Sequence, residues 1–367
     1  MSAERIRQAR ELCSLTQEEL AKKIGISQPA IAQIESGQYT PSPSMEQSIA
    51  LHTGFDLSFL RKPEPPVDFP VGSILYRSKA KVSARDRVRA HRLAQLLFEI
   101  VSSLKAKLRP IPVVLPRLNE QNPIEAAKLA RSSLGLSPDT PIQNIMSVVE
   151  RAGVLVLRLP LEIEGLDGFS AWVGKNHETP VICLMGKSVG YRSRYTLSEE
   201  TGHLILHSPL AGTVEQAEEE VKLFTGEFVL PEEAMHREMG TPVTLASLAP
   251  LRHKWGASLQ FLAHRSKDIG ITTPNQYRYL IQQISMRGWR TVKQEPGDES
   301  IPQEQPKAVS KMIEVVYGSD SDFSRIRKDT GVPVGLLKSI LLPATSGDRA
   351  TPAVLQMKNK IKREELG

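Results

Sequence analysis

Apolar residues recur at three- and four-residue intervals along most of the chain, the period of helices with one buried face. In the first part, positions such as Leu20, Ala21, Ile24, Ile31, Ile34 and Ile49 fall into short segments of this kind joined by tight turns, and they predict a five-helix bundle over 1–60. A longer stripe through Val88, Leu93, Leu97, Val101 and Leu104 predicts one helix over about 83–108. Past Pro123 the pattern changes. Helical stretches at 124–134 and 142–152 give way to β-prone runs at 154–157 and 181–184, which bracket the segment 168–173. Helical periodicity resumes at 195–207, 215–229, 245–255, 258–269 and 273–287. The chain is therefore expected to be mainly α, with an α+β domain in its middle.

Breaks in the pattern divide the chain. The proline-rich stretch 61–66 and the polar, proline-containing stretch 294–306 read as linkers. The expected organisation is a bundle at 1–60, a Pro- and Arg-rich linker helix at 61–122 and an α+β domain with a helical extension at 123–293. A small helical unit at 307–343 and a polar, basic tail at 344–367 complete it. A total of 367 residues fits two or three cores better than one.

Charge alters this picture in one place. The net +6 is modest, but residues 1–60 carry 5 Lys/Arg against 7 Asp/Glu, whereas 61–110 carry 12 against 4. The positive field lies after the bundle, with Arg77, Arg85, Arg87, Arg89 and Arg92 in or near the long helix, so a polyanion is the expected partner of that region. Two cysteines, Cys13 and Cys183, build no disulfide framework, and no apolar run has signal or membrane length; a cytoplasmic location with no membrane partner is the expectation.

The stretch 16–37 has the grammar of two helices meeting at a tight turn. Thr16 and Glu19 form an S/T-x-x-E capping box, Gly25 supplies the turn, Ser27 stands at the next N-cap and Pro29 in the first turn after it. Gln28 and Gln33 remain as the polar residues of the second helix, where glutamine can read adenine with two hydrogen bonds. Gln17, at the start of the preceding helix, is placed to contact a phosphate, and Glu35 to pair with Arg10. The segment from Arg5 to Leu60, through Thr16-Gln-Glu-Glu-Leu-Ala21 and Ile34-Glu-Ser-Gly37, resembles the lambda repressor and Cro-like (XRE) helix-turn-helix family. That resemblance implies a homodimer on a near-palindromic double-stranded DNA operator, with Gln17, Ser27, Gln28, Pro29 and Gln33 as the DNA-binding set.

A second motif lies at Glu199-Glu-Thr-Gly-His203. In an H-E-x-x-H helix two histidines one turn apart bind zinc and the Glu between them activates water; here the Glu and second His are present and the first His is a Glu. Leu166-Asp-Gly-Phe-Ser-Ala-Trp172, Arg192-Ser-Arg-Tyr-Thr-Leu197, the run from Glu218 to Pro231 and the segment from Leu251 to Leu259 extend the likeness. Together they resemble the ImmA/IrrE (DUF955) metallopeptidase family. The resemblance implies Glu200 as catalytic base and Glu199, His203 and Glu218 as metal ligands, with Glu220 the alternative to Glu218 and His207 a possible substitute one turn beyond His203. A shell of two carboxylates and one imidazole suits zinc less than oxygen-preferring metals. Two readings follow: a DNA-binding regulator with a degenerate peptidase domain as sensor or interaction module, or a zinc endopeptidase that cleaves a partner repressor or itself. Residues 323–341 also have a helix-turn-helix rhythm, and Cys183 sits in an apolar run that suits plain packing.

Overall fold

The computed structural model describes residues 1–64, 83–109, 111–119, 122–163, 166–174, 176–186, 189–207, 213–289, 295–297, 300–318 and 322–342. Pro65, Pro66, Arg77 and the tail at 344–367 lie outside the described residues. The chain forms two compact units, one from Met1–Pro110, Leu157–Gly165 and Lys307–Gly367, the other from Ile111–Val156 and Leu166–Pro306. Among the described residues no helix is long and apolar enough to cross a membrane.

The first unit opens with α1 (Ala3–Leu12), α2 (Gln17–Ile24), α3 (Gln28–Glu35), α4 (Pro43–Thr53) and α5 (Leu57–Leu60). The local chemistry sets these limits. The Thr16–Glu19 capping box starts α2, and Gly25, at φ +77°, ends it in the left-handed region that only glycine enters cheaply. Ser27 holds the N-cap backbone geometry of α3, but its hydroxyl makes no capping hydrogen bond. Leu20, Ile31, Ile34, Ile49 and Phe59 are fully buried and form the core.

The helix α6 (Ala84–Lys105) lies along α1. Arg5 grips Glu99 with two hydrogen bonds of 2.6 and 3.1 Å, Gln8 donates to Gln95 at 3.2 Å, and Arg92 reaches both Glu4 and Glu11 at 2.6 Å. The apolar stripe adds to these largely buried polar ties. Leu93, Leu96, Leu97, Val101 and Leu104 are buried, and each is worth roughly 1.5–3 kcal/mol.

Residues 307–342, read from the sequence as a unit of their own, contribute α15 (Ala308–Tyr317), α16 (Phe323–Thr330) and α17 (Val334–Leu341) to this first unit. Gly331, at φ +74°, turns α16 into α17 against α5, and a Cβ there would stand 2.7 Å from Phe59 Cβ. Arg327 holds Asp56 with bonds of 2.6 and 3.2 Å, the Asp56 amide donates to Gly331 O at 2.9 Å, and Lys62 Nζ to Thr330 O at 2.9 Å.

The second unit contains α7 (Pro123–Ser133), α8 (Ile145–Arg151), β2 (Gly168–Val173) and β3 (Thr179–Met185); β1 (Leu155–Leu159) begins in it, and the strand order is β1-β3-β2. The β2–β3 pair is antiparallel, with register from Gly168↔Leu184 to Val173↔Thr179. Then come α9 (Gly190–Leu206), α10 (Val214–Val229), α11 (Glu232–Glu238), α12 (Leu245–Trp255), α13 (Leu259–Asp268) and α14 (Pro274–Met286). The mainly α chain with a small sheet in its α+β part is the expected architecture. Val149, Ile182, Ile205, Phe224 and Phe228 sit in one buried cluster, and Cys183 is packed without exposure.

The polar stretch expected as a linker at 294–306 behaves otherwise where it is described. Glu295 accepts from Arg252 Nε at 2.9 Å and from the Leu259 amide at 2.8 Å, in a pair whose side chains are each 3% exposed. Glu304 takes the Met146 amide at 2.7 Å and pairs with Arg194. A side chain at Gly190 would overlap the Ile301 carbonyl. Buried ion pairs thus strap this polar segment onto the second unit; Gln294, Asp298 and Glu299 lie outside the described residues.

Candidate nucleic-acid interface and metal centre

In the first unit Ser27, Gln28, Pro29 and Gln33 are exposed on α3, and Gln17 is half-buried at the start of α2. A string of polar groups connects them to the core. Arg10 donates to both oxygens of Glu35 at 2.6 and 2.8 Å; Gln17 Nε2 donates to Glu35 Oε2 at 2.9 Å; Gln28 Nε2 donates to Gln17 Oε1 at 2.8 Å. Burial alone would lower the Arg10 pKa, but the Glu35 carboxylate outweighs it and holds the guanidinium above its ordinary value. Glu35 is 2% exposed, so the pair is a fixed point from which Gln17, and through it Gln28, takes its orientation. The sequence indicates the Arg10–Glu35 pair, but not the Gln17–Gln28 bond, which unites two helices across the turn.

The acidic balance of 1–60 is resolved locally. Six of its seven acids lie within 4.0 Å of a cation: Glu4, Glu11, Glu19, Glu35, Glu46 and Asp56. For Glu4, Glu11, Glu19, Glu46 and Asp56 these cations include Arg92, Arg85, Arg61 and Arg327, all from beyond the bundle.

In the second unit β2 carries α9 directly. Ser170 Oγ donates to Glu200 O at 3.1 Å and Trp172 Nε1 to Leu204 O at 2.9 Å. Gly168 lets the helix approach, since a Cβ there would sit 3.0 Å from both Thr196 Cγ2 and Cys183 O. On the other side α10 comes closest at Gly202, where a Cβ would stand 2.8 Å from Phe224 Cδ1. These contacts turn Glu200 and His203 inward, each 5% exposed.

The expected ligands lie on α9 and α10. His203 Nε2 faces Glu218 Oε1 at 3.5 Å, so these two are brought together. Glu199 is hydrogen-bonded to the Tyr195 hydroxyl one turn earlier, and burial, followed by the charge and hydrogen bond of Glu199, pushes the Tyr195 pKa well up. Glu220 belongs to another set: His207 Nε2 meets its Oε2 at 2.9 Å, Gln216 donates to its Oε1 at 2.9 Å, and the His207 bond holds its pKa below the usual carboxylate value. His207 Nδ1 in turn faces His203 Nδ1 at 3.1 Å. Among the described residues no three His, Cys, Asp or Glu side chains converge on a point where a metal ion would sit. Tyr195 is the residue that reading for metal ligands overlooks, and its i, i+4 spacing from Glu199 is the signal that could have revealed it.

Both sites have counterparts. Residues 6–60 match the family model described as helix-turn-helix, and this part of the first unit is a DNA-binding domain of that class. Residues 149–267, which contain every candidate metal ligand, match the IrrE N-terminal-like domain, so the chain joins an XRE-like helix-turn-helix to an ImmA/IrrE-like domain. No curated protein matches the chain.

Proposed function

We propose that the protein is a sequence-specific transcriptional regulator, cytoplasmic and homodimeric on a near-palindromic operator, whose IrrE-like domain is a degenerate peptidase that serves as a sensor or interaction module. The observation that carries the second half is Glu199. It replaces an imidazole with a carboxylate and is engaged by Tyr195, while His203 is shared between Glu218 and His207.

At the operator, Gln28 and Gln33 read base edges, Ser27 and Pro29 shape the front of α3, and Gln17 positions the backbone while aiming Gln28. Selection from a random duplex pool tests this. The native chain should enrich one motif, and Gln28→Ala should lose preference at one base position, by about 1–3 kcal/mol. An unchanged motif would refute the assignment.

A second reading, a zinc endopeptidase acting on a partner repressor or on the chain itself, is favoured by the 3.5 Å approach of His203 to Glu218. In it Glu199, His203 and Glu218 would be ligands and Glu200 the base. Metal analysis separates the two: tight stoichiometric zinc in the native chain, lost on His203→Ala, would replace the first reading by the second.

A further inference from the structure

The arginines of α6 divide by what they touch. Arg92 is spent inside the unit on Glu4 and Glu11. Arg85, two turns nearer the start of α6, points elsewhere: it donates to the Ser14 carbonyl in the α1–α2 turn and lies 3.7 Å from Glu19 Oε2. That same Glu19 oxygen accepts the Thr16 amide at 2.7 Å, the reciprocal half of the capping box. The Arg85 guanidinium thus stands one carboxylate away from the first turn of α2.

Two physical arguments make this place consequential. The first-turn amides of a helix have no intrahelical acceptor and attract anions, and in a helix-turn-helix the start of the first of the paired helices faces the DNA backbone. Glu18 and Glu19 put negative charge at that spot, where it would repel a phosphate. Arg85 offsets one of these charges. Both of these contacts run through Nη2, a guanidinium has five N–H donors, and its side chain is 48% exposed, so Nε and Nη1 remain for another acceptor.

We infer that Arg85 extends the DNA interface beyond the helix-turn-helix, taking a backbone phosphate of duplex DNA beside the N-terminus of α2. The inference rests on α2 and α3 being the DNA-binding pair. It assigns no sequence preference to Arg85, because a phosphate contact positions and does not specify.

The test uses the full chain and a fluorescently labelled random-sequence 30-base-pair duplex, titrated over a series of salt concentrations. Each phosphate contact adds about 0.9 to the slope of log K against log salt. Arg85→Gln should flatten the slope by about that amount, Arg85→Lys should restore it, and Arg92→Gln should leave it unchanged. Glu19→Gln, which can still close the capping box, should tighten binding several-fold. Unaltered helicity and melting temperature of Arg85→Gln would assign the loss to the contact. Equal slopes for the native chain and Arg85→Gln would overturn the inference and leave the helix-turn-helix assignment intact. A native chain with no salt-dependent binding to the duplex would overturn both.

Discussion

Replacement of Glu35 by alanine is the sharpest test of how the recognition surface is held. Glu35 is 2% exposed, and it accepts two hydrogen bonds from Arg10 and one from Gln17, at 2.6, 2.8 and 2.9 Å. Its removal leaves Arg10 buried with two donors unmet and frees the Gln17 amide. Breaking one side of a buried ion pair costs about 3–5 kcal/mol, because the surviving charge is left without compensation. Arg10 keeps the Leu15 carbonyl at 2.8 Å and has Glu11 at 3.5 Å, so the lower end applies, about 3 kcal/mol. Amide hydrogen exchange in α1 to α3 reads this locally, and protection should fall roughly a hundredfold. The double change Arg10→Met with Glu35→Leu removes both charges and should recover most of the loss, as apolar replacements of buried pairs do. A drop of less than tenfold in the single variant would show that the pair is not the anchor of the bundle. A double variant as damaged as the single one would show that packing, and not the stranded charge, was responsible.

Other substitutions probe the remaining features. Glu199→His should raise zinc affinity measurably by competition titration, since His203 and Glu218 already face each other; no gain over the native chain would mean that Glu218 is the wrong third donor. Gly331→Ala combines a φ of +74° with a Cβ only 2.7 Å from Phe59 Cβ and 2.8 Å from Phe59 N. It should cost more than about 2 kcal/mol and expose α16 and α17 to proteolysis; unchanged protease resistance would contradict their docking on α5.

The bundle was legible in the sequence because its signals are local. A capping box, a glycine turn and an apolar period each act within a few residues, and together they define α2 and α3. The long helix α6 was equally legible as a helix, yet its partner was not, since Arg92 meets Glu4 and Glu11 across some eighty positions. Residues 294–306 read as a linker because polar and proline-containing composition marks a solvated segment. Glu295 and Glu304 are instead buried against Arg252 and Arg194, a pairing that composition cannot convey. At the altered metal helix the E-E-x-x-H pattern offered Glu199, Glu200 and His203 as candidates, and the family resemblance added Glu218. The bond between Tyr195 and Glu199 left only an i, i+4 spacing as its trace, which reading for metal ligands passes over.

The division of the first unit between the two ends of the chain sets a schedule for the cell. The ribosome delivers α1 to α5 early, but α16 and α17, which close on α5, emerge about 260–280 residues later. At typical elongation speeds that gap lasts roughly 13–56 seconds. During it the nascent bundle lacks the Arg327 partner of Asp56 and the Gly331 turn that packs on Phe59. A chain stalled before α16 would carry α2 and α3 without the helices that pack on α5.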